Sequence, residues 1–206
     1  MFGKSRASGS GEFVFPDWSP YHALDDAATA YLRDADLALD DLRAVLGDRQ
    51  IAGFTLERVV MDDGRVWQEA ALCDGDRLLL WHGEDVPDSE TGAMTSAVRT
   101  IPLSSISEVG CRRHVERDEA GGTSVTDVEV YVLLRTVDES ELMQTDDGAS
   151  TVFRHDAVRF GKNVQDVGPG QLERLTSFAR LLSTLLGEGP GRATPTVVGD
   201  TAARQV

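Results

Sequence analysis

The run RVWQEAALCDGDRLLLWHG, Arg65 to Gly83, constrains the fold more than any other part of the chain. Two strand-like runs flank Asp74-Gly75. Asp-Gly is a strong hairpin signal, because the tight turns that match strand twist need a positive φ, which Gly permits and Asp tolerates. In the first run Val66, Gln68, Ala70 and Leu72 share one face, and Trp67, Glu69, Ala71 and Cys73 share the other. The second run, Leu78-Leu79-Leu80-Trp81, is apolar on both faces, which places it deep in a sheet rather than at an edge.

More strands attach to this hairpin on either side. Ile51 to Met61 is rich in β-branched and aromatic residues and joins the hairpin through Asp62-Asp63-Gly64, so three strands form a meander. Gly83 to Ser96 is acidic and aperiodic and reads as a loop. Ala97 to Leu103 is a short strand interrupted by Pro102, and Glu108 to Glu116 alternates as a strand. Asp118 to Ser124 is a hairpin loop leading into Val125 to Thr136, where Val128, Val130, Val132 and Leu134 point one way. Thr136 to Ser150 is acidic and turn-rich, and Thr151 to Phe160 alternates again.

Helical periodicity brackets these strands. Leu24, Ala28, Tyr31, Ala35, Leu39, Leu42 and Leu46 step by three or four, which predicts one helix over residues 22–46, ended by Gly47. Its other face carries Asp25, Asp26, Asp34, Asp36, Asp40 and Asp41, a solvated face or an acidic recognition surface. Gln171 to Leu186 has a wide apolar stripe that must be buried, placed over the apolar face of the hairpin. Residues 1–20 read as a disordered segment ending in a clasp of Phe13, Val14, Phe15 and Trp18, residues 21–187 as one domain, and residues 188–206 as a flexible tail. The whole predicts an α+β fold: a curled antiparallel sheet or partial β-barrel of about seven strands, with a C-terminal helix and an extra N-terminal helix.

The formal net charge of −15 argues against nucleic acid and against anionic membranes, both of which attract basic surfaces. Only Lys4 and Lys162 are lysines. Cys73 and Cys111 fall in strand patterns, which predicts buried, reduced thiols. With neither a signal-peptide pattern nor a long apolar stretch, the expected compartment is the cytoplasm.

The segments ALCDGDRLLLWHG and RTIPLSSISEVGCRR, with their I-P-L-x-x-I-x-x-V phrase, resemble a pattern shared by bacterial pleckstrin-homology-like (PH-like) domains. The resemblance covers about residues 51–187, and the whole chain is similar to a family of actinobacterial cytoplasmic proteins. It implies a bent seven-stranded partial barrel plugged by a C-terminal helix. Its motifs are packing motifs, so it brings no catalytic residue and no cofactor.

Chemistry-bearing patterns are sparse. GxxxxGK[ST], GxGxxG after a strand, CxxC, HExxH and GxSxG are all missing, so no catalytic residue, cofactor or metal is assigned. His82, Glu84 and Asp85 with His114 or His155 make a remote metal candidate, outweighed by solvated loop residues. Arg112 and Arg113 on one strand, with Arg154 and Arg159 on another, form a candidate anion site if the strands are neighbours; cross-strand pairing with Glu108, Glu116, Glu129 and Asp156 is the competing reading. Two functions remain open. One is a non-catalytic interaction or scaffold module that holds an unidentified protein partner by a sheet edge or the acidic helix. The alternative is a small-ligand protein or enzyme with a site assembled from scattered residues such as His82, His114, His155 and Asp156.

Overall fold

The computed structural model describes residues 16–87, 89, 92–135, 140–145, 148–153 and 157–187, with 140–145 and 148–153 described by backbone alone. In chain order the elements are α1 (Leu24–Tyr31), α2 (Ala35–Leu46), β1 (Gly53–Val60), β2 (Val66–Cys73), β3 (Arg77–Asp85), β4 (Met94–Pro102), a 3₁₀ turn (Leu103–Ser105), β5 (Ile106–Arg117), β6 (Thr123–Leu134), β7 (Ser140–Thr145), β8 (Gly148–Phe153), β9 (Ala157–Asn163), α3 (Val164–Val167) and α4 (Pro169–Gly187).

The hairpin at Asp74-Gly75 forms as its sequence requires. Gly75 has φ 95°, and Asp74 Oδ1 accepts the backbone N–H groups of Asp76 and Arg77 at 3.0 and 2.8 Å. β2 and β3 are the central strands of a four-stranded antiparallel sheet ordered β1-β2-β3-β4. Their two apolar faces serve two different cores. Ala70, Leu72, Leu79 and Trp81 join Phe54 and Leu56 in a core covered by α1, α2 and Trp18. Ala71, Cys73, Leu78 and Ile101 face the other way, into a core shared with Val128, Val130, Val132, Phe160 and the α4 residues Leu172, Leu175, Phe178, Ala179 and Leu182.

The α+β class holds, but the strands do not make one curled sheet. β5, β6 and β9 form a second antiparallel sheet, and among the described residues β7 pairs with β8 alone. The switch between sheets has a local cause. Pro102 has no N–H to donate, and after it the chain turns out of the first ladder: Leu103 N–H bonds to Asp76 O at 2.8 Å, and Ser105 O accepts from Arg135 N–H at 2.7 Å. One backbone bond points to the first sheet and the next to the second, so β4 and β5 never pair. β1 and β9 meet instead through side chains. Lys162 Nζ on β9 donates to Leu56 O at 2.6 Å, and the Glu57 carboxylate accepts the Gly161 N–H.

Other expectations need correction. The predicted single helix over 22–46 is two helices broken at Leu32, which takes extended backbone (φ −80°, ψ 145°). The break is captured by the sheet: Arg33 N–H bonds to Gln68 Oε1 at 3.0 Å, and the Arg33 guanidinium pairs with Asp85. Much of the Gly83–Ser96 loop is strand, since β3 runs to Asp85 and β4 begins at Met94. The turn-rich Thr136–Ser150 segment holds β7 and the start of β8, and Thr151–Phe160 is divided between β8 and β9. α4 does not lie flat on the hairpin; it packs between the two sheets, chiefly against β6, β5, β1 and β9. Of the clasp, Trp18 is fully buried between Tyr31 and Phe54; Phe13, Val14 and Phe15 lie outside the described residues.

Candidate functional site

β5 is the long free edge of the second sheet. It spans 12 residues and, among the described residues, pairs only with β6. Register shifts at Ile106/Glu108 and His114/Val115 leave a regular ladder from Glu108 to His114 between them. Bulges at the ends of an edge strand twist those ends away from other chains and leave the middle as the accessible stretch.

Strand alternation gives this edge two dissimilar faces. On the outer face Tyr131 on β6 lies across Gly110, where an added Cβ would fall 1.9 Å from the Tyr131 ring. A side chain there would displace the Tyr131 ring, whose hydroxyl donates to Glu108 Oε1 at 3.1 Å. Beside it Glu129 lies between two guanidinium groups, pairing with Arg112 and, at 3.5 Å, with Arg159. On the other face Val128, Val130 and Phe160 are buried, yet their β5 neighbours Cys111, Arg113 and Val115 are exposed, Val115 to 48%. Cys111 is therefore not the buried thiol the sequence predicts; Cys73 is. The α4 core covers β6, β9 and the start of β5 through Ile106 and Val109, and leaves β5 uncovered from Cys111 onward.

The arginine candidates separate accordingly. Arg112 and Arg159 are brought together, on one shared carboxylate. Arg113 points to the opposite face from Arg112, although both line an open groove of about 810 Å³ with Asp127, Glu129 and Lys162. Arg154 lies outside the described residues. The pairing reading accounts for Arg112 and Arg159: both are largely exposed, and their common partner neutralises one of the two charges.

The histidines do not converge. His82 stands on β3, facing the second sheet, with Nδ1 3.6 Å from Glu69 and Nε2 3.6 Å from Glu84, while Trp67 meets its ring edge-on at 5.6 Å. His114 is exposed on the outer face of the other sheet, opposite Asp127, and His155 and Asp156 lie outside the described residues. Asp85 is turned away from His82, toward Arg33 and the Val66 N–H. Among the described residues no three His, Cys, Asp or Glu are grouped to hold a metal ion.

One titratable row escaped the sequence. Glu57, Glu69 and His82 stand directly opposite one another across β1, β2 and β3. Burial, then the neighbouring Glu57 carboxylate, pushes the Glu69 carboxyl up to about 7. Burial likewise raises Glu57, opposed by Lys162 and the Gly161 N–H. Only the pairing register makes these residues neighbours, and a single strand's pattern does not carry it.

Comparison with known proteins adds no relative to this geometry: no family model matches the chain, and no curated protein or solved structure matches it. No helix among the described residues is long and apolar enough to cross a membrane.

Proposed function

We propose that the chain is a PH-like, non-catalytic interaction module of the cytoplasm, which takes up an extended segment of a partner protein along the free edge of β5. The order of elements supports the PH-like reading: a four-stranded meander, a switch at Pro102 into a second antiparallel sheet, and a C-terminal helix packed between the two. The observation that carries the interaction is the β5 edge itself. Its ladder from Glu108 to His114 is regular, its outer side has no strand beside it among the described residues, and Cys111, Arg113 and Val115 have no cover. An added strand would satisfy the edge N–H and C=O groups and cover those side chains. The net charge of −15 favours a protein partner over nucleic acid or an anionic membrane.

The alternative, a catalytic or ligand site built from His82, His114, His155 and Asp156, draws less support, since His82 and His114 stand on different sheets. Selection of extended peptides from a display library against the full chain tests the main reading. Selected peptides are expected to protect the amides of residues 108–114 from hydrogen exchange. Binders that protect only other strands, or the recovery of none, would contradict it.

A further inference from the structure

A second feature lies away from the β5 edge. Ser19, Pro20 and His22, the start of α1, the connection from Leu46 to Gly53, and one side of α4 enclose an open groove of about 1030 Å³. Arg174 of α4 is in this groove. Its guanidinium is stacked 4.9 Å from the Phe54 ring centroid and 5.4 Å from that of Trp18, and Nη1 donates to His22 Nδ1 at 3.2 Å. Burial alone shifts this guanidinium, pushing it below its ordinary value, and no carboxylate among the described residues pairs with it.

We propose that this groove binds a small amphipathic monocarboxylate, with Arg174 as the anchor for the carboxylate and the apolar walls as the seat of its hydrocarbon body. The guanidinium lies against the touching Phe54 and Trp18 rings, and its N–H donors beyond the one on His22 are those a carboxylate can take up, in the bidentate mode guanidinium groups favour. The other arginine on the wall, Arg49, already pairs with Asp74 and Asp76, and Asp25 pairs with Arg43. Glu173 remains as an exposed rim carboxylate. A single anchoring cation near a rim carboxylate, on a chain of net charge −15, favours a monoanion over a dianion such as phosphate. Leu24, Leu46, Ile51, Phe178 and Leu181 supply the apolar walls, and the volume is that of a site for a ligand with an extended body rather than for an isolated carboxylate.

Calorimetric titration of the full chain with decanoate below its micelle concentration tests this, with decyltrimethylammonium and inorganic phosphate as probes of the tail alone and of a dianion. Decanoate is expected to bind at least about ten-fold tighter than either. Arg174→Gln is expected to weaken it about ten-fold or more, the worth of a charge-assisted bond. Ser177→Trp fills the groove from an exposed wall position and is expected to abolish binding, so the proposal stays testable should Arg174→Gln fail to fold. Absence of decanoate binding, equal binding of decyltrimethylammonium, or unchanged affinity in a folded Arg174→Gln or Ser177→Trp variant would overturn it.

Discussion

Lys162 Nζ donates to the main-chain oxygen of Leu56 at 2.6 Å, and with the Gly161–Glu57 bond it ties the edge of the second sheet to the edge of the first. Among the described residues β1 has a strand on one side only, so the Leu56 carbonyl needs a partner that no strand ladder there supplies. The Lys162 side chain reaches it while buried near the rings of Trp18 and Tyr31, at 5.6 and 6.0 Å.

That placement costs the ammonium much of its hydration. Burial lowers Lys162 to about 8, with Glu57 and Asp17 opposing the shift. The folded value lies below the unfolded one, so between about pH 8 and 10 the unfolded chain binds the extra proton and Lys162 makes stability rise with pH. Tyr31 and Cys73, both raised by burial, act in the opposite sense near the top of that range. The difference between wild type and Lys162→Met is therefore the useful quantity. Urea unfolding at pH 7.5, 9 and 10 is expected to show the wild type gaining on the variant as pH rises, and a constant difference would contradict the assignment.

Glu69 has the reverse sign. Its folded value of about 7 lies above the ordinary carboxylate range, so the stability it contributes is present at acid pH and is lost as pH rises from about 4.5 through 7. Glu69→Gln is expected to be more stable than wild type at pH 8 by about 1–2 kcal/mol, allowing for partial solvent screening, and equal to it near pH 4.5. Chemical denaturation at the two pH values measures this.

Trp18 makes a sharper demand on packing. It is fully buried against Tyr31 and Phe54, and Trp18→Ala is expected to cost about 3–5 kcal/mol. The indole N–H has no hydrogen-bond partner in the structure, so Trp18→Phe forfeits no bond and is expected to cost well under half as much. Thermal unfolding of the two variants separates shape from polarity.

The aspartates of the N-terminal helices differ among themselves. Asp41 accepts hydrogen bonds from Trp81 Nε1 and Ser96 Oγ, both at 2.9 Å, which fastens α2 to β3 and β4, whereas Asp36 is exposed. Asp41→Ala is expected to destabilise by about 1–3 kcal/mol because it strands the buried indole N–H. Asp36→Ala is expected to stay within about 0.5 kcal/mol of wild type. Parallel urea titrations compare them.

These cases show where the sequence is legible. Asp74-Gly75 and the two-sided apolar run Leu78 to Trp81 are local signals: the turn needs its φ wherever it sits, and a strand apolar on both faces needs two covers, which α1/α2 and the second sheet provide. The alternation of Val128, Val130, Val132 and Leu134 correctly marked a buried face. The division into two sheets was not legible, because it rests on the backbone just after Pro102, whose bonds go to Asp76 and Arg135, residues distant in sequence. The same holds for the candidate sites. Arg112, Arg159 and Glu129 are readable as pairing candidates, but which of the four candidate carboxylates lies between the two arginines depends on register. Cys111 reads as buried because alternation marks a face and cannot say where along β5 the core ends, which is after Val109.

The central claim is that β5 presents a free, regular edge. Residue-resolved hydrogen exchange of the unliganded protein tests it most directly. Within residues 108–114, amides bonded to β6 are expected to be strongly protected and the alternate, outward-pointing amides to exchange quickly, giving a period of two along the strand. Uniform protection of all seven amides would mean that the edge is already covered, and would contradict the account.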